Sequence, residues 1–163
     1  MRVTAEAPDA RAFAPFGAFI EMPARAGARS VYSDWMAPVS GLAPHVYTNR
    51  VAASALPLTL DRVEHHPHTA QLFLPLQVTR YLVTVMPSDA AGRPDTSLAR
   101  VFLMPPTLGV VYRAGTWHAG MTVLDADASF AVLMWHGATD DDVFAAIPPL
   151  VVDPPASVGE SAP

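Results

Sequence analysis

Proline punctuates this chain along its whole length: seventeen of 163 residues, from Pro8 to Pro163. A proline inside a helix removes a backbone donor and clashes with the preceding turn, so a chain broken this often has no room for long helices. The stretches between are short and apolar. Leu58–Val63 alternates approximately, while Leu72–Leu76, Tyr81–Met86, Val101–Met104, Gly109–Tyr112, Met121–Leu124 and Phe130–Trp135 are β-rich runs. Turn signals separate them at Pro87–Pro94, Pro105–Pro106 and Asp125–Asp127. Short strands at this spacing predict an all-β sandwich or barrel.

A short helix is expected over Asp9–Phe13, capped by Asp9, and another from Thr139 through Phe144, with the Asp140–Asp142 carboxylates at its positive end. Residues 22–44 are rich in Pro, Gly, Ala and Ser and read as a long excursion, pinned to the body by Tyr32, Trp35 and Met36. Residues 1–152 read as one domain and 153–163 as a flexible tail.

Composition excludes several chemistries. All ten basic residues are scattered arginines and the net charge is −5, so no basic run exists to neutralise nucleic-acid phosphates. The absence of lysine removes Schiff-base chemistry, and the absence of cysteine removes thiol nucleophiles and thiolate metal sites. No apolar run is long enough to span a membrane and the start lacks a signal-peptide pattern, so a cytoplasmic protein is expected.

Histidine is the concentrated chemistry that remains. His65, His66 and His68 share the stretch Glu64–Gln71, and His118 ends the run Gly109–His118. Imidazole binds metals and moves protons near neutral pH. On a strand, positions two apart face one way, so His66 and His68 could reach one ion, with Gln71 nearby and His118 as a third donor. The competing reading makes His68 an exposed turn residue beside Pro67, and His118 a buried structural histidine. Trp117 is either core or pocket wall. Arg50, at the end of the extended segment His45–Arg50, could hold a carboxylate bidentately or merely form a surface ion pair. Glu64 reads as a general base, a metal ligand or a partner to a histidine. Asp140–Asp142 reads as a solvated cap.

These pieces together resemble the ureidoglycolate lyase family of the cupin superfamily. The matching residues are Ala12–Gly17, Asn49-Arg50, Leu56–Leu58, Glu64–Pro75, Gly109–His118 and Asp142–Pro148, in order and at matching spacing from about residue 8 to 150. The family typically shows E-R-H-P-x-x-x-Q-x-F-x-P and Y-H-x-x-x-W-H-H-P segments. The resemblance implies a cupin-type double-stranded β-helix, or jelly-roll barrel, with a few short helices, forming a homodimer. It implies elimination of urea from ureidoglycolate to give glyoxylate, a step of purine-nitrogen salvage through allantoin.

Carried over position by position, Arg50, Glu64, His66, Gln71, Tyr112, Trp117 and His118 occupy family motif positions. The implied catalytic set is Glu64, His66, Tyr112 and His118. Arg50, Gln71, Arg113 and Trp117 would contact substrate. His66, His68, Gln71 and His118 are candidate ligands for one divalent ion, with nickel, manganese, zinc or iron as candidates. The chain departs from the pattern at Arg113, Ala119 and Gly120, where the family has His, His and Pro, and at His65, where it has Arg. Trp135-His136 stand for Asp-Arg, and His68 is an added histidine. The departures point to a rearranged site. Two other readings follow from them: a small-acid binding or sensing cupin without catalysis, and a metal-dependent cupin acting on another hydroxy or keto acid.

Overall fold

The computed structural model describes residues 1–155. Of the tail expected over 153–163, residues 156–163 lie outside the described residues. Asp153, placed in that tail by the sequence, instead ends a strand and pairs its carboxylate with Arg2.

The chain runs through β1 (Arg2–Thr4), helix α1 (Ala10–Phe13), β2 (Gly17–Ile20), β3 (Ala43–Val51), β4 (Ala53–Ser54), β5 (Leu58–His65) and β6 (Gln71–Gln77). It continues through β7 (Arg80–Met86), β8 (Arg100–Met104), β9 (Gly109–Tyr112), β10 (Trp117–His118), β11 (Thr122–Leu124), β12 (Ala128–His136) and β13 (Val143–Asp153). One sheet of eight strands has the order β1-β13-β5-β10-β7-β11-β4, with β8 on the other side of β7. The second, of five strands, has the order β2-β9-β6-β12-β3. The expected all-β, cupin-like architecture is therefore present as a two-sheet sandwich; hydrogen bonding does not close it into a barrel.

The sequence pattern sets the packing directly. Along β12, Ala128, Phe130, Val132 and Met134 are buried while the residues between them are not, the period-two alternation of a strand with one face on a core. Phe73, Tyr81, Val83, Val85, Phe102 and Tyr112 meet Ala128, Phe130 and Val132 from both sheets. Asp9 accepts backbone hydrogen bonds from Arg11 and Ala12, capping α1 as expected. The helix delivers Phe13 to the core, stacked on Phe19 at 4.5 Å and edge-on to Phe102 at 5.7 Å. Gly17 permits β2 to close on β9, since a Cβ there would lie 1.9 Å from the Val111 carbonyl oxygen. The 22–44 excursion is anchored by Tyr32, Trp35 and Met36 packing against Ile20, Leu72 and Val111.

Two expectations need correction. Thr139–Phe144 is not a helix. Asp141 accepts from the Gly137 and Ala138 amides at 2.7 and 3.2 Å, which closes a turn instead. Val143 then enters β13, antiparallel to β5, and the register shifts across Pro148 and Pro149 between Ala146 and Leu150. Strand pairing satisfies more of this segment's backbone than a helix stopped by two prolines could. Second, His66 and His68 do not share a strand face, because β5 ends at His65. Pro67, lacking an N–H, stands where the ladder would have to continue.

The strands do not cover each other equally. β3 pairs with β12 along nine residues, yet residues on both of its faces are exposed, including Val46 and Tyr47. His45 and Tyr47, opposite the core residues Met134 and Val132, face inward and are still exposed, so the sandwich is open at the end beneath this part of β3.

Candidate active site

Backbone register brings the two histidine segments together. β10 is wedged between β5 and β7, and its His118 lies directly opposite Glu64. The turn before β10 depends on Gly115, whose φ of +77° is costly for other residues. The Gly115 amide donates to the His66 carbonyl at 2.8 Å, tying the β9–β10 turn to the β5–β6 turn. The Arg113 amide and the Thr116 hydroxyl both donate to the Phe16 carbonyl, fixing the same turn from the N-terminal side.

Donor atoms of Glu64, His66 and His118 consequently lie within 4.8 Å of one another. His118 Nδ1–H donates to the Thr116 carbonyl at 2.8 Å, so its Nε2 carries a free lone pair. That lone pair faces the Gln71 amide oxygen at 3.1 Å and Glu64 Oε1 at 3.7 Å. His66 Nδ1–H is shared between the Asp141 carbonyl and the Asp142 carboxylate, each at 3.0 Å. Its Nε2 is buried without a partner. Burial drives the His118 pKa down to about 3, so a proton does not resolve this gathering of acceptors near neutrality. Turning the Gln71 amide end for end would relieve one contact but leave Glu64 and His66 Nε2 as they are. The arrangement fits a cation. Two imidazoles hold Nδ1–H on backbone or carboxylate oxygen and present Nε2, the pattern by which outer hydrogen bonds orient metal-binding histidines.

Glu64 itself has a pKa raised by burial; His66 opposes that rise, Asp142 adds to it, and Arg62 opposes it. Arg62 precedes Glu64 by two residues, and its guanidinium lies 5.0 Å from the Phe144 ring centre. Tyr112, opposite Gln71 in the β6–β9 ladder, stacks under His118 with ring centres 4.1 Å apart. Its hydroxyl pKa is pushed well up by burial.

Other residues singled out from the sequence lie elsewhere. His68 is 40% exposed at the side chain and pairs with Asp140 at 2.8 Å. Arg50 is 66% exposed and reaches Asp127 at 3.5 Å, opposite Ser129 on β12 and five residues from Met134. Arg113 turns outward and stacks over Trp35 at 5.0 Å. Trp117, next to His118 on a strand, faces the other way. It packs with Val63, Met86 and Ile147, against the His65 ring at 4.0 Å, and donates to the Gly92 carbonyl at 3.1 Å.

The sequence reading missed Tyr47, Arg62 and Met134. Tyr47 projects from β3 to Met134 Sδ at 3.9 Å and hydrogen-bonds the Gln71 side chain. It also underrated the acidic triplet. Asp140, Asp141 and Asp142 form no helix cap; they pair with His68, His136 and His66 respectively. Three acidic residues in a chain whose charged cluster is histidine were the available signal.

Comparison with known proteins identifies the family. The ureidoglycolate lyase family pattern matches residues 1–153. A ureidoglycolate lyase of Chelativorans sp. is 35% identical over 81% of this chain and 84% of its own length. That of Burkholderia cepacia is 35% identical over 75% and 73%, and that of Azotobacter vinelandii 34% identical over 78% and 81%. The family pattern spans nearly the whole described chain and the likeness covers most of both chains in each pair, and the chain belongs to the ureidoglycolate lyase family.

Proposed function

We propose that this protein is a ureidoglycolate lyase: it eliminates urea from ureidoglycolate and releases glyoxylate. The observation that carries the reading is the convergence of Glu64, His66 and His118 at the open end of the sandwich, in a chain of this family. His66 Nε2, His118 Nε2 and one Glu64 oxygen would hold a divalent ion; nickel, manganese, zinc and iron all accept such a donor set. Bound there, the ion would make the substrate hydroxyl more acidic.

The protein's own groups divide the remaining work. The substrate is a carbinol bearing a carboxylate and a ureido group. Glu64, made more basic than a solvated carboxylate by burial, takes the hydroxyl proton on its second oxygen. The electron pair left on oxygen forms the carbonyl of glyoxylate as the C–N bond breaks. Arg62, the arginine whose charge acts on Glu64, would hold the substrate carboxylate. Arg50 and Arg113, both turned away from the donor set, would not. Tyr112 and Gln71 fix the plane and distance of His118 from below and beside it.

The homodimer and the cytoplasmic location implied by family resemblance belong to this proposal as well. Support for the dimer is the exposed edge strand β3, with Val46 exposed on it and Leu74 and Leu76 exposed on β6, beyond β12 in the same sheet.

The test is urea release from racemic ureidoglycolate, after chelation and after restoring nickel, manganese, zinc or iron. Metal-dependent release above the spontaneous rate is expected. No release under any metal would overturn the reading and leave a binding protein on the same scaffold.

A further inference from the structure

Elimination needs a second proton movement. A ureido anion leaves poorly, so its nitrogen must gain a proton as the C–N bond breaks. Most groups around the donor set have none to give. His118 and His66 commit Nδ1–H to the Thr116 and Asp141 carbonyls, and an Nε2 atom that holds an ion carries no proton. Glu64 is occupied with the hydroxyl proton. An arginine does not release its proton at any working pH. Tyr112 lies fully buried beneath the His118 ring.

We propose that Tyr47 is the catalytic acid that protonates the departing urea nitrogen. The assignment rests on the lyase reading above and extends it to a residue outside the family motifs. Tyr47 comes from β3, the exposed strand that overhangs the open end, so its hydroxyl meets the donor set from the side opposite β5 and β10. The hydroxyl lies 3.9 Å from Met134 Sδ and hydrogen-bonds the Gln71 side chain, whose amide nitrogen donates to the same sulfur at 3.4 Å and whose amide oxygen faces His118 Nε2 at 3.1 Å. One side chain therefore separates it from the metal-binding nitrogen. It is 41% exposed, which leaves it open to a substrate entering from solvent. A phenol is protonated at neutral pH, the form an acid needs; burial raises the Tyr47 pKa further, the Gln71 hydrogen bond opposes that rise, and the Asp142 and Glu64 carboxylates add to it.

The step balances. The hydroxyl proton goes to Glu64, the O–H electron pair becomes the carbonyl bond, and the C–N pair goes to nitrogen with the proton of Tyr47. The phenolate then recovers the proton held by Glu64 through solvent at the open mouth, and the enzyme is restored.

The experiment compares wild type and Tyr47→Phe on two carbinols: ureidoglycolate, and the adduct of glyoxylate with 4-nitrobenzenesulfonamide, whose nitrogen leaves without a proton. With ureidoglycolate the variant is expected to lose about 100-fold in kcat, with KM and metal content little changed. With the sulfonamide adduct the two proteins should turn over alike. Equal turnover of ureidoglycolate, or the same loss on both carbinols, overturns the role of Tyr47 while leaving the lyase reading standing. An inactive wild type on ureidoglycolate would bring down the lyase reading, and the Tyr47 role with it.

Discussion

The two ends of one sandwich are filled by opposite chemistry. At the closed end, Phe73, Tyr81 and Phe130 from both sheets meet edge to face, with Phe130 5.2 Å from Tyr81 and 6.1 Å from Phe73. At the open end, Glu64, His66, Gln71 and His118 meet with their acceptors facing one another. Tyr112 marks the boundary: one part of its ring stacks on His118, and Phe73 abuts it at 6.1 Å. The closed end lowers free energy by excluding water. The open end holds an unsatisfied buried nitrogen, which costs about 1–3 kcal/mol unless a ligand meets it. Stability and function are thus assigned to different ends of the same strands.

The largest expected effect separates the two ends by mutation. His118→Ala should lower turnover by about 1,000-fold and abolish stoichiometric metal binding, while the domain still unfolds cooperatively. Phe130→Ala should do the reverse, costing about 3–5 kcal/mol of stability in denaturant titration while the folded fraction keeps wild-type kcat. Metal binding that survives His118→Ala, or turnover that collapses in folded Phe130→Ala, would break the division.

A smaller effect is expected in the pH dependence of the metal-free protein. His118 is held neutral, its pKa pushed down to about 3 by burial. The unfolded chain, with an ordinary histidine pKa near 6.5, binds the proton first. Below about pH 6.5 the unfolded state therefore gains protons that the folded state does not, and stability falls toward pH 3, by a few kcal/mol in total for this one group. Glu64 acts in the opposite sense: its raised folded pKa favours the folded state as acid protonates it, and so offsets part of the loss. Thermal unfolding of chelated wild type and His118→Ala across pH 7 to 4 isolates the first term. The variant should show the shallower acid-side decline, and parallel curves would mean that His118 is not neutral when folded.

Much of this was legible in the chain. Proline spacing and the β-rich runs located the long strands from β5 through β12, because period-two burial writes itself into sequence. β13 was not legible: its prolines and acidic entry look like turn and cap, and its strand state depends on the partners that β5 and β1 supply. At the site, His66, His118, Glu64 and Gln71 could be singled out by residue type and family motif. Tyr47 and Arg62 could not, since a tyrosine on an edge strand and an exposed arginine on a strand are ordinary until register sets them around one point. His68 misled for a local reason: an H-x-H spacing implies a shared face only while the backbone stays extended, and β5 ends one residue before it begins.

The smallest expected effect concerns how the open end keeps His66 aimed. Asp142 meets His66 Nδ1 at 3.0 Å, but the Asp141 carbonyl lies at the same distance, so the imidazole has a second acceptor. Asp142→Asn keeps an oxygen in place and removes only the charge. A carboxylate behind a histidine raises its basicity as a metal ligand, and losing such a partner typically costs 10- to 100-fold in affinity. With the Asp141 carbonyl still holding the ring, the lower end of that range, about tenfold, is expected by competition with a chelator of known affinity. Thermal stability of the chelated protein should change little, because Asp142 is half exposed. A loss near 100-fold would mean that the charge, rather than the backbone carbonyl, sets the ring's position, and that the acidic turn is part of the site instead of a support beside it.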